Sequence, residues 1–526
     1  MPLMEPDEGR YSLIPATMNE RGDYLVPRLK GAIYIEKPPL AYWITAFFFK
    51  VFGEGEFSSR LFAGLSAWGV IILAYLMGCH WVSEKVGLWA AAVLSISLFH
   101  FVIGHINILD MPVTFLISLA LWGGFRFYES KRKGWLYLFY SAMALAFLTK
   151  GLIGIFLPGA VILLWLISLK KGHTILQFLS PLGIGIFLAI ALPWPLMIHH
   201  VHPDFARFFF LQEHFLRYTT EMHHRNEPFY YYFPILLLGT TPWVAFAIKP
   251  LRMMDVGSLK GRFFPEGVTL FLFLWFVFII LFFSFSSSKL VPYIAPVFLP
   301  LSLFGGRLFQ LYEEETRVKG DLAGKVCVIA QSLLFLFVIL GAPFVEKWRL
   351  ENFSWLLVIP PIVVLFFLTF LPDHLEEKKG CSRFFSMYVL SASFLFTLLF
   401  PVSSFLVPHK SAYPLVQAVK RLVPLGEELY QYNMSLYGLD FYGKMRTPVV
   451  NDIGEVAYGS EFLPEGERSH YFLGEGDFIN RLNKEGILYC ATKGLKNVEK
   501  LAKEVSGVEI LWDNGYYYLV RLKGKG

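Results

Sequence analysis

The stretch VTLFLFLWFVFIILFFS, residues 268–284, contains no charged side chain. Apolar runs of about 17 to 25 residues cross the hydrocarbon core of a bilayer when they are helical. Lipid offers no hydrogen-bond partners, so a spanning segment must satisfy its own backbone groups, as a helix does. This stretch therefore predicts a transmembrane helix in a membrane protein.

The rest of the chain repeats this pattern. Only 17% of the 526 residues are charged, 55% are hydrophobic and 17% are aromatic, whereas soluble domains usually carry about 25% charged residues. The apolar runs predict about twelve spans: 61–79, 86–103, 111–128, 134–149, 151–169, 175–193, 229–248, 268–284, 290–306, 326–343, 353–371 and 384–406. A shorter run, 40–52, carries Lys50 next to Tyr42 and Trp43 and predicts a helix that lies in the interface.

Basic residues cluster in every second connection between the predicted spans. One set of connections holds eighteen Lys and Arg residues, for example Arg126 and Lys131, and the opposite set holds seven, among them Lys150 and Lys289. The positive-inside rule assigns the richer set to the cytoplasm. Residues 1–60, 104–110, 194–228 and 284–289 and the C-terminal tail then lie outside. This distribution explains the net charge of +6 better than a nucleic-acid-binding stripe does.

The composition changes near Ser411. Short β-like runs at 428–432, 470–473, 487–491 and 516–522 alternate with helical patterns at 413–422, 478–484 and 498–505. The chain is thus predicted to be an all-α polytopic membrane bundle with interfacial helices, followed by a small α/β soluble domain. The predicted divisions are an outer-face loop region (1–60), a multi-span region (61–406) and an outer α/β domain (407–526). Gly474 and Gly476 read as a turn, because Ile479 replaces the third glycine of a nucleotide-binding loop.

Four cysteines occur, at positions 79, 327, 381 and 490. Their spacing does not match a zinc site or a disulfide framework. They are expected to be inert packing or loop residues.

Ionisable residues at the outer ends of helices are functional candidates, because protein that faces lipid has no use for them. The first cluster joins Glu5 to Tyr11 with Tyr34 to Trp43, if the residues between fold back as an interfacial helix. Its carboxylates suit a general base, and Arg10 and Lys37 suit a departing phosphate. A solvated loop with helix caps is the alternative.

The second and fourth clusters each centre on one charge. Asp110 precedes Met111-Pro112 at a helix start, where an Asp is often only an N-cap. Lys289 follows three serines and precedes Tyr293 by four residues, and a lysine there can simply be an interfacial anchor. Both fall on the same predicted face as the first cluster.

The third cluster is a long outer loop between 208 and 232. It holds a dense set of ionisable residues: Glu213, His214, Arg217, His223, His224, Arg225 and Glu227. Such a set suits a phosphate clamp or a divalent metal site (Zn, Mg or Mn), and the histidine spacing does not choose between them. For a metal, Glu36 and His214 are the preferred ligands. No nucleotide cofactor is expected.

The order and spacing of these motifs resemble the C-type glycosyltransferase superfamily. The matching elements are Asp-Glu-x-Arg-Tyr (7–11), Glu-Lys-Pro-Pro-Leu-x-Tyr-Trp (36–43), Asp-Met-Pro (110–112), a loop from Glu-His-x-x-Arg to Arg-x-Glu-Pro-Phe (213–229) and Ser-Lys-Leu-x-x-Tyr (288–293). The chain is most similar to the lipid A 4-amino-4-deoxy-L-arabinose transferases and to bacterial relatives of protein mannosyltransferases. The resemblance covers the membrane region and is weak in the tail.

The resemblance implies an inverting transfer of a sugar, aminoarabinose or another pentose or hexose, from a polyprenyl-phosphate donor to lipid A or a related acceptor. It implies a bacterial inner-membrane enzyme with its site on the periplasmic face. Asp7 matches the acceptor-side catalytic carboxylate and Asp110 the second acid. Glu36 and Lys37 match metal and phosphate partners. The donor phosphate pocket would be lined by Arg10, Arg217, Arg225, Lys289 and Tyr293, with His214 nearby.

Two further expectations follow. Members of the family carry a membrane helix before the Asp-Glu element, so we expect one more span upstream of Met1, which a start codon assigned too far downstream would explain. The alternative acceptor is a protein Ser or Thr hydroxyl, as in protein O-mannosyltransferases. A lipid-linked sugar flippase is less favoured, because it would place charges near the bilayer midplane in paired discontinuous helices.

Overall fold

The computed structural model describes residues 1–216, 227–241, 243–244, 263–315 and 406–525. The predicted spans 326–343 and 353–371 lie outside these residues, as do nearly all of 384–406 and the end of 229–248. Cys327 and Cys381 also lie outside them. Cys79 and Cys490 are free thiols.

The N-terminal 52 residues form an outer layer made of two helices and a hairpin. Helix α1 (Asp7–Arg21) ends at Gly22 in the left-handed conformation. A two-residue antiparallel pair, β1 (Arg28–Leu29) and β2 (Ala32–Ile33), follows. Helix α2 (Leu40–Phe52) begins directly after Pro38-Pro39. Within this layer the Trp43 indole donates to the carbonyl of Tyr24 at 2.7 Å. The predicted helix at 40–52 is present. The residues between Tyr11 and Tyr34, which were expected to fold back as a helix, contain the rest of α1 and the hairpin.

Apolar helices form the bundle beneath this layer. They are α3 (Glu56–Trp81), α4 (Glu84–Ser95), α5 (Leu98–Gly104), α6 (Asp110–Ser130) and α7 (Lys133–Lys150), followed by Ile153–Ser168, Ile175–Phe178, Pro181–Ala191, Pro193–Val201, Tyr232–Gly239, Glu266–Phe285 and Phe298–Glu315. Residues 207–216 form a π-helix. Within the described residues four stretches are long and apolar enough to cross a membrane, or six if each of two bent pairs is one span.

One predicted span, 86–103, is bent rather than straight. Helices α4 and α5 meet at 66°. The Ser97 hydroxyl donates to the carbonyl of Val93 at 2.8 Å and accepts the Trp243 indole N–H at 2.7 Å. The backbone N–H of Leu98 donates to Thr241 at 2.9 Å instead of to its own helix. Serine back-bonding and a diverted amide both interrupt a helix.

Small residues bring the helices close together. A Cβ added at Gly78 of α3 would lie 2.6 Å from the Cα of Gly87 in α4, and one at Gly306 would lie 2.5 Å from the backbone nitrogen of Ala90. Close backbone approach of this kind is how helices associate in lipid, where burial gives little driving force. Larger side chains at Gly78 or Gly306 would push α4 away from its two neighbours.

The C-terminal region, residues 406–525, contains a six-stranded sheet in the order β5-β4-β3-β6-β8-β7. The strands are β3 (Leu429–Tyr432), β4 (Val449–Val450), β5 (Phe472–Leu473), β6 (Ile487–Lys493), β7 (Gly507–Asp513) and β8 (Tyr517–Lys523). Strands β3, β4, β5 and β6 are parallel, and β8 pairs antiparallel with β6 and β7. The flanking helices include Tyr413–Leu422, Tyr437–Gly443, Glu475–Glu485 and Leu495–Glu504.

The predicted α/β character of this region agrees with the structure, but two strands were not predicted. Strand β4 has only two residues and is defined by its pairing with β3 and β5. Strand β7 is an edge strand without an alternating burial pattern. Gly474 does not form a turn with Gly476, because Gly474 caps the helix Glu475–Glu485 and Gly476 lies inside it.

Candidate active site

Helix α1 carries the first two predicted site residues one turn apart. Asp7 and Arg10 form an ion pair in which the Asp7 side chain is 51% exposed and that of Arg10 only 5%. The guanidinium carbon of Arg10 lies 4.7 Å from the ring centre of Tyr11 and 5.7 Å from that of Tyr34. Arg10 also pairs with Glu455 of the C-terminal region. The buried guanidinium of Arg10 thus contacts the accessible carboxylate of Asp7.

The charges around Tyr11 show that the predicted acids converge. Burial raises the pKa of the Tyr11 hydroxyl well above its ordinary value, and Arg10 opposes this effect. Asp7, Asp110 and Glu36 each raise the pKa further, because a nearby negative charge disfavours the phenolate. Residues that lie as far as 103 positions apart in sequence therefore act on one hydroxyl group.

Glu8 fixes α1 to the bundle. Its carboxylate is 1% exposed and accepts two hydrogen bonds from Arg60 of α3, each 2.7 Å long. It also accepts the backbone N–H groups of Met4 at 2.9 Å and Asn107 at 2.8 Å. Because Asn107 lies just before Asp110, the same carboxylate positions α1 and the start of α6 relative to each other.

The Glu36-Lys37 pair follows the hairpin on the same side of the molecule. The Tyr34 hydroxyl donates to Glu36 at 3.2 Å. The Lys37 ammonium donates to the Glu36 carbonyl at 3.2 Å and to the Glu213 carboxylate at 3.0 Å. Two of its three N–H groups are used in these contacts. The pair brings the end of the π-helix, Arg207–Leu216, to the outer layer.

The predicted metal site is only partly described. Glu36 lies next to the Lys37–Glu213 pair, but the side chain of its predicted partner His214 is outside the described part of the chain. Among the described residues there is no group of three or more His, Cys, Asp or Glu side chains able to hold a metal ion. The metal assignment remains a prediction.

Asp110 is the first residue of α6 and forms an ion pair with Lys150 at the end of α7. It does not cap the helix, because the N-cap is Leu109 and no side chain bonds there. The Lys150 ammonium lies 4.9 Å from the ring centre of Tyr293. Lys150 was counted among the outer basic residues but was not assigned to the site. Basic residues are scarce on the predicted outer face, and this was the only feature of the sequence that could have pointed to Lys150.

The remaining donor-side predictions divide into two groups. Lys289 is 6% exposed and donates to the carbonyl of Glu227 at 2.7 Å, and Tyr293 lies beneath Lys150. Arg217 and Arg225 are outside the described residues. The structure therefore places Tyr293 beside the Asp110–Lys150 pair and Lys289 against Glu227, and it leaves the two arginines as predictions.

The C-terminal region is joined to the outer layer by buried polar groups. Lys30, at the turn of the hairpin, pairs with Asp440 at 2.6 Å and donates to the carbonyl and hydroxyl of Thr447, both at 3.0 Å. Glu5 accepts the backbone N–H groups of Tyr437 at 3.2 Å and Gly438 at 2.5 Å. Burial raises the pKa of Glu5 to about 8. These contacts were not predicted from sequence.

Comparison with known proteins gives a family match and several relatives. Residues 36–197 match the family of dolichyl-phosphate-mannose-protein mannosyltransferases. An undecaprenyl phosphate-alpha-4-amino-4-deoxy-L-arabinose arabinosyl transferase of Aeromonas hydrophila is 33% identical over 350 residues, which is 63% of this chain and 62% of the relative. A second such transferase, from Pseudomonas fluorescens, is 31% identical over 358 residues, 66% of this chain and 62% of the relative. The chain thus spans less than two thirds of these relatives.

Solved structures agree with the fold. The apo crystal structure of ArnT from Cupriavidus metallidurans superimposes with a TM-score of 0.81 at 23% identity, covering 99% of this chain and 94% of that one. The same protein bound to undecaprenyl phosphate gives 0.78 with the same coverage. The predicted membrane bundle with a C-terminal α/β part is confirmed. The chain is therefore similar in sequence to undecaprenyl phosphate-aminoarabinose arabinosyl transferases over about two thirds of its length and has the fold of ArnT, as the resemblance of its motifs implied.

Proposed function

We propose that this chain is an inverting glycosyltransferase that moves a sugar from a polyprenyl-phosphate donor to a lipid acceptor. The observation that carries the proposal is the set of direct contacts that joins Asp7, Arg10, Tyr34 and Glu36 next to Tyr11. The charge of Asp110 also acts on the Tyr11 hydroxyl. Such a bundle gives a lipid-linked donor a route to an ionic site from within the membrane. The curated relatives named above are transferases of an undecaprenyl-phosphate-linked sugar.

Asp7 is the proposed general base. Its carboxylate is half-exposed, so an acceptor hydroxyl can reach it. The hydroxyl oxygen attacks the anomeric carbon, the bond from that carbon to the phosphate oxygen breaks, and the acceptor proton passes to Asp7. Direct attack inverts the anomeric centre. Asp110, which pairs with Lys150, is the proposed second acid.

The leaving polyprenyl phosphate needs cations where its charge develops. Lys37 is 13% exposed, and its contacts with Glu36 and Glu213 use two N–H groups, which leaves a third for a phosphate oxygen. Arg10 is permanently charged and buried. Lys289, Tyr293, Arg217 and Arg225 are proposed to complete the phosphate pocket.

A divalent ion held by Glu36 and His214 is part of the proposal. The Lys37–Glu213 contact supports it, because residue 213 is brought to the segment that contains Glu36, and His214 is the next residue. Bound there, an ion would add positive charge at the departing phosphate. Chelator treatment followed by assay of transfer, with metal added back, tests this element independently of the rest.

The preferred substrates are undecaprenyl-phosphate aminoarabinose and lipid A, with the reaction at the periplasmic face of a bacterial inner membrane. The match of residues 36–197 to protein mannosyltransferases keeps a protein hydroxyl as the second candidate acceptor. Radiolabelled polyprenyl-phosphate sugar supplied to the purified protein with lipid A or with a Ser/Thr-rich peptide distinguishes the two. Movement of intact donor across a vesicle membrane without transfer would instead indicate a flippase.

The decisive variants are Asp7→Asn and Lys37→Ala. Each is expected to abolish transfer while the protein remains inserted, because the first removes the proton acceptor and the second a cation at the leaving group. Glu20→Gln is the matched control for Asp7, since Glu20 is an exposed carboxylate on the same helix. Lys496→Ala serves for Lys37. Wild-type rates in either test variant would remove that residue from the mechanism.

A further inference from the structure

The Lys37 ammonium, the cation proposed for the leaving phosphate, already has a carboxylate partner. Glu213 accepts one of its N–H groups at 3.0 Å, and the two side chains are largely buried, with 13% of Lys37 and 8% of Glu213 exposed. Solvent ions therefore screen this pair much less than they screen a surface pair. The ammonium is thus paired with an anion at the place where the donor phosphate is expected to bind.

Both partners belong to backbone that is held in place. Lys37 is followed by Pro38-Pro39, whose rings fix their own φ angles directly before α2. Glu213 lies in the helix Arg207–Leu216, four residues after Phe209, which is fully buried. A rotation of the Glu213 side chain therefore separates the two charges more easily than a movement of either segment does.

One ammonium cannot serve two anions without bringing them together. Acceptors on two N–H groups of the same tetrahedral nitrogen lie about 5 Å apart. A phosphate oxygen on the third N–H of Lys37 would therefore lie close to the Glu213 carboxylate, and like charges repel strongly where water is scarce. The carboxylate thus weakens phosphate binding, or it must turn away when phosphate binds.

The repulsion is larger for the product than for the donor. The donor phosphate is a diester with one negative charge. Transfer breaks the bond between the anomeric carbon and the phosphate oxygen and leaves a monoester, which carries a charge of about −1.5 to −2 at pH 7. Cations that stabilise this developing charge also hold the product. A competing carboxylate at the same ammonium favours release of the product.

We propose that Glu213 promotes product release: it competes for the Lys37 ammonium and disfavours the polyprenyl phosphate product more than the singly charged donor. The inference rests on the proposed function, in which Lys37 binds the leaving phosphate. Glu213 contacts Lys37 and not the reacting atoms. It therefore determines which phosphate is retained and takes no part in the bond changes.

The first test measures binding of undecaprenyl phosphate to the detergent-solubilised full-length chain, with uncharged undecaprenol as the comparison ligand. Glu213→Gln keeps the size of the side chain and removes its charge, so it is expected to lower the Kd for undecaprenyl phosphate on the order of tenfold. The Kd for undecaprenol should not change, which also shows that the variant is folded. Glu213→Asp retains the charge and should stay close to the wild-type Kd for undecaprenyl phosphate. The matched control is Asp204→Asn, because Asp204 is an exposed acid shortly before the same helix.

The second test uses turnover with labelled undecaprenyl-phosphate sugar and lipid A. Glu213→Gln should lower the Ki of added undecaprenyl phosphate on the order of tenfold and the KM of the donor by a smaller factor. Unchanged or weaker binding of undecaprenyl phosphate in Glu213→Gln, or equal tightening of donor and product, would overturn the inference alone. A wild-type chain that neither binds undecaprenyl phosphate nor transfers sugar would overturn the proposed function, and the inference with it.

Discussion

Replacing Glu8 by alanine tests whether one buried carboxylate holds the outer layer in place. In the native structure this side chain joins α1 to α3 through Arg60 and to the start of α6 through the amide of Asn107. The substitution removes four hydrogen bonds at once. It leaves the charge of Arg60 and the amides of Met4 and Asn107 without that acceptor.

The structure allows an estimate of the loss. Removing one partner from a buried ion pair costs about 3–5 kcal/mol, and each buried amide left unpaired costs about 1–3 kcal/mol. Arg60 is 16% exposed and also donates to the carbonyls of Met1 and Pro2, which places the ion-pair contribution at the low end. Only the Asn107 amide is fully buried, whereas that of Met4 is partly exposed, so we add about 3 kcal/mol for the ion pair and about 1 kcal/mol for this amide and expect Glu8→Ala to destabilise the protein by about 4 kcal/mol.

The assay is thermal unfolding of the detergent-solubilised protein at a fixed scan rate, because membrane proteins often unfold irreversibly. Glu20→Ala is the control: its ion pair with Arg446 measures 3.9 Å and both side chains are about 70% exposed, so its contribution is near zero. If Glu8→Ala unfolds at the same temperature as Glu20→Ala, the view of Glu8 as the anchor of α1 is refuted.

Two further predictions concern other buried charges. Lys150→Met should lower transfer at least tenfold, because Asp110 loses its partner; the double variant Lys150→Met/Asp110→Asn should lose no more than the worse single variant, and additive losses would argue against a coupled pair. Glu5 has its pKa raised from 4.5 to about 8, so its protonated form favours folding, and this contribution is complete below pH 4.5 and disappears as the pH rises to about 8. The Tm of wild type minus that of Glu5→Gln should therefore fall between pH 5 and pH 8, and a constant difference would contradict the assignment.

The membrane helices were predictable because a long apolar run is enough to specify one, without information about distant residues. Runs such as 268–284 are recognisable by their length and lack of charge, and this run lies within two residues of both ends of the helix Glu266–Phe285. The predicted run 290–306, in contrast, ends nine residues before the end of the helix Phe298–Glu315. The bend at Ser97 was not predictable, since it depends on Trp243 and Thr241 from a distant helix. Strand β4 was also missed. Its two residues are too few to show an alternating pattern, and it is recognisable only by its pairing with β3 and β5.

Candidate site residues could be predicted in the part of the chain where charged residues are rare, but not in the C-terminal region, where they are common. Asp7, Arg10, Glu36, Lys37 and Asp110 stand out in a chain with few charged residues, and the structure brings them together. Their roles remain predictions.

Glu455 could not be recognised in the same way, because it lies in a polar region with many carboxylates, and only its contact with Arg10 distinguishes it. Lys150 was visible, but its partner Asp110 lies 40 residues earlier in the chain.

The buried pair between Lys30 and Asp440 has a consequence for how the molecule is made. Lys30 enters the nascent chain roughly four hundred residues before its counter-ion, and a lone ammonium is stable in water but not in a dry interface. The hairpin turn must therefore stay hydrated until Asp440, in the last fifth of the polypeptide, packs against it. The contact between the hairpin and the C-terminal region can form only after most of the chain has been synthesised.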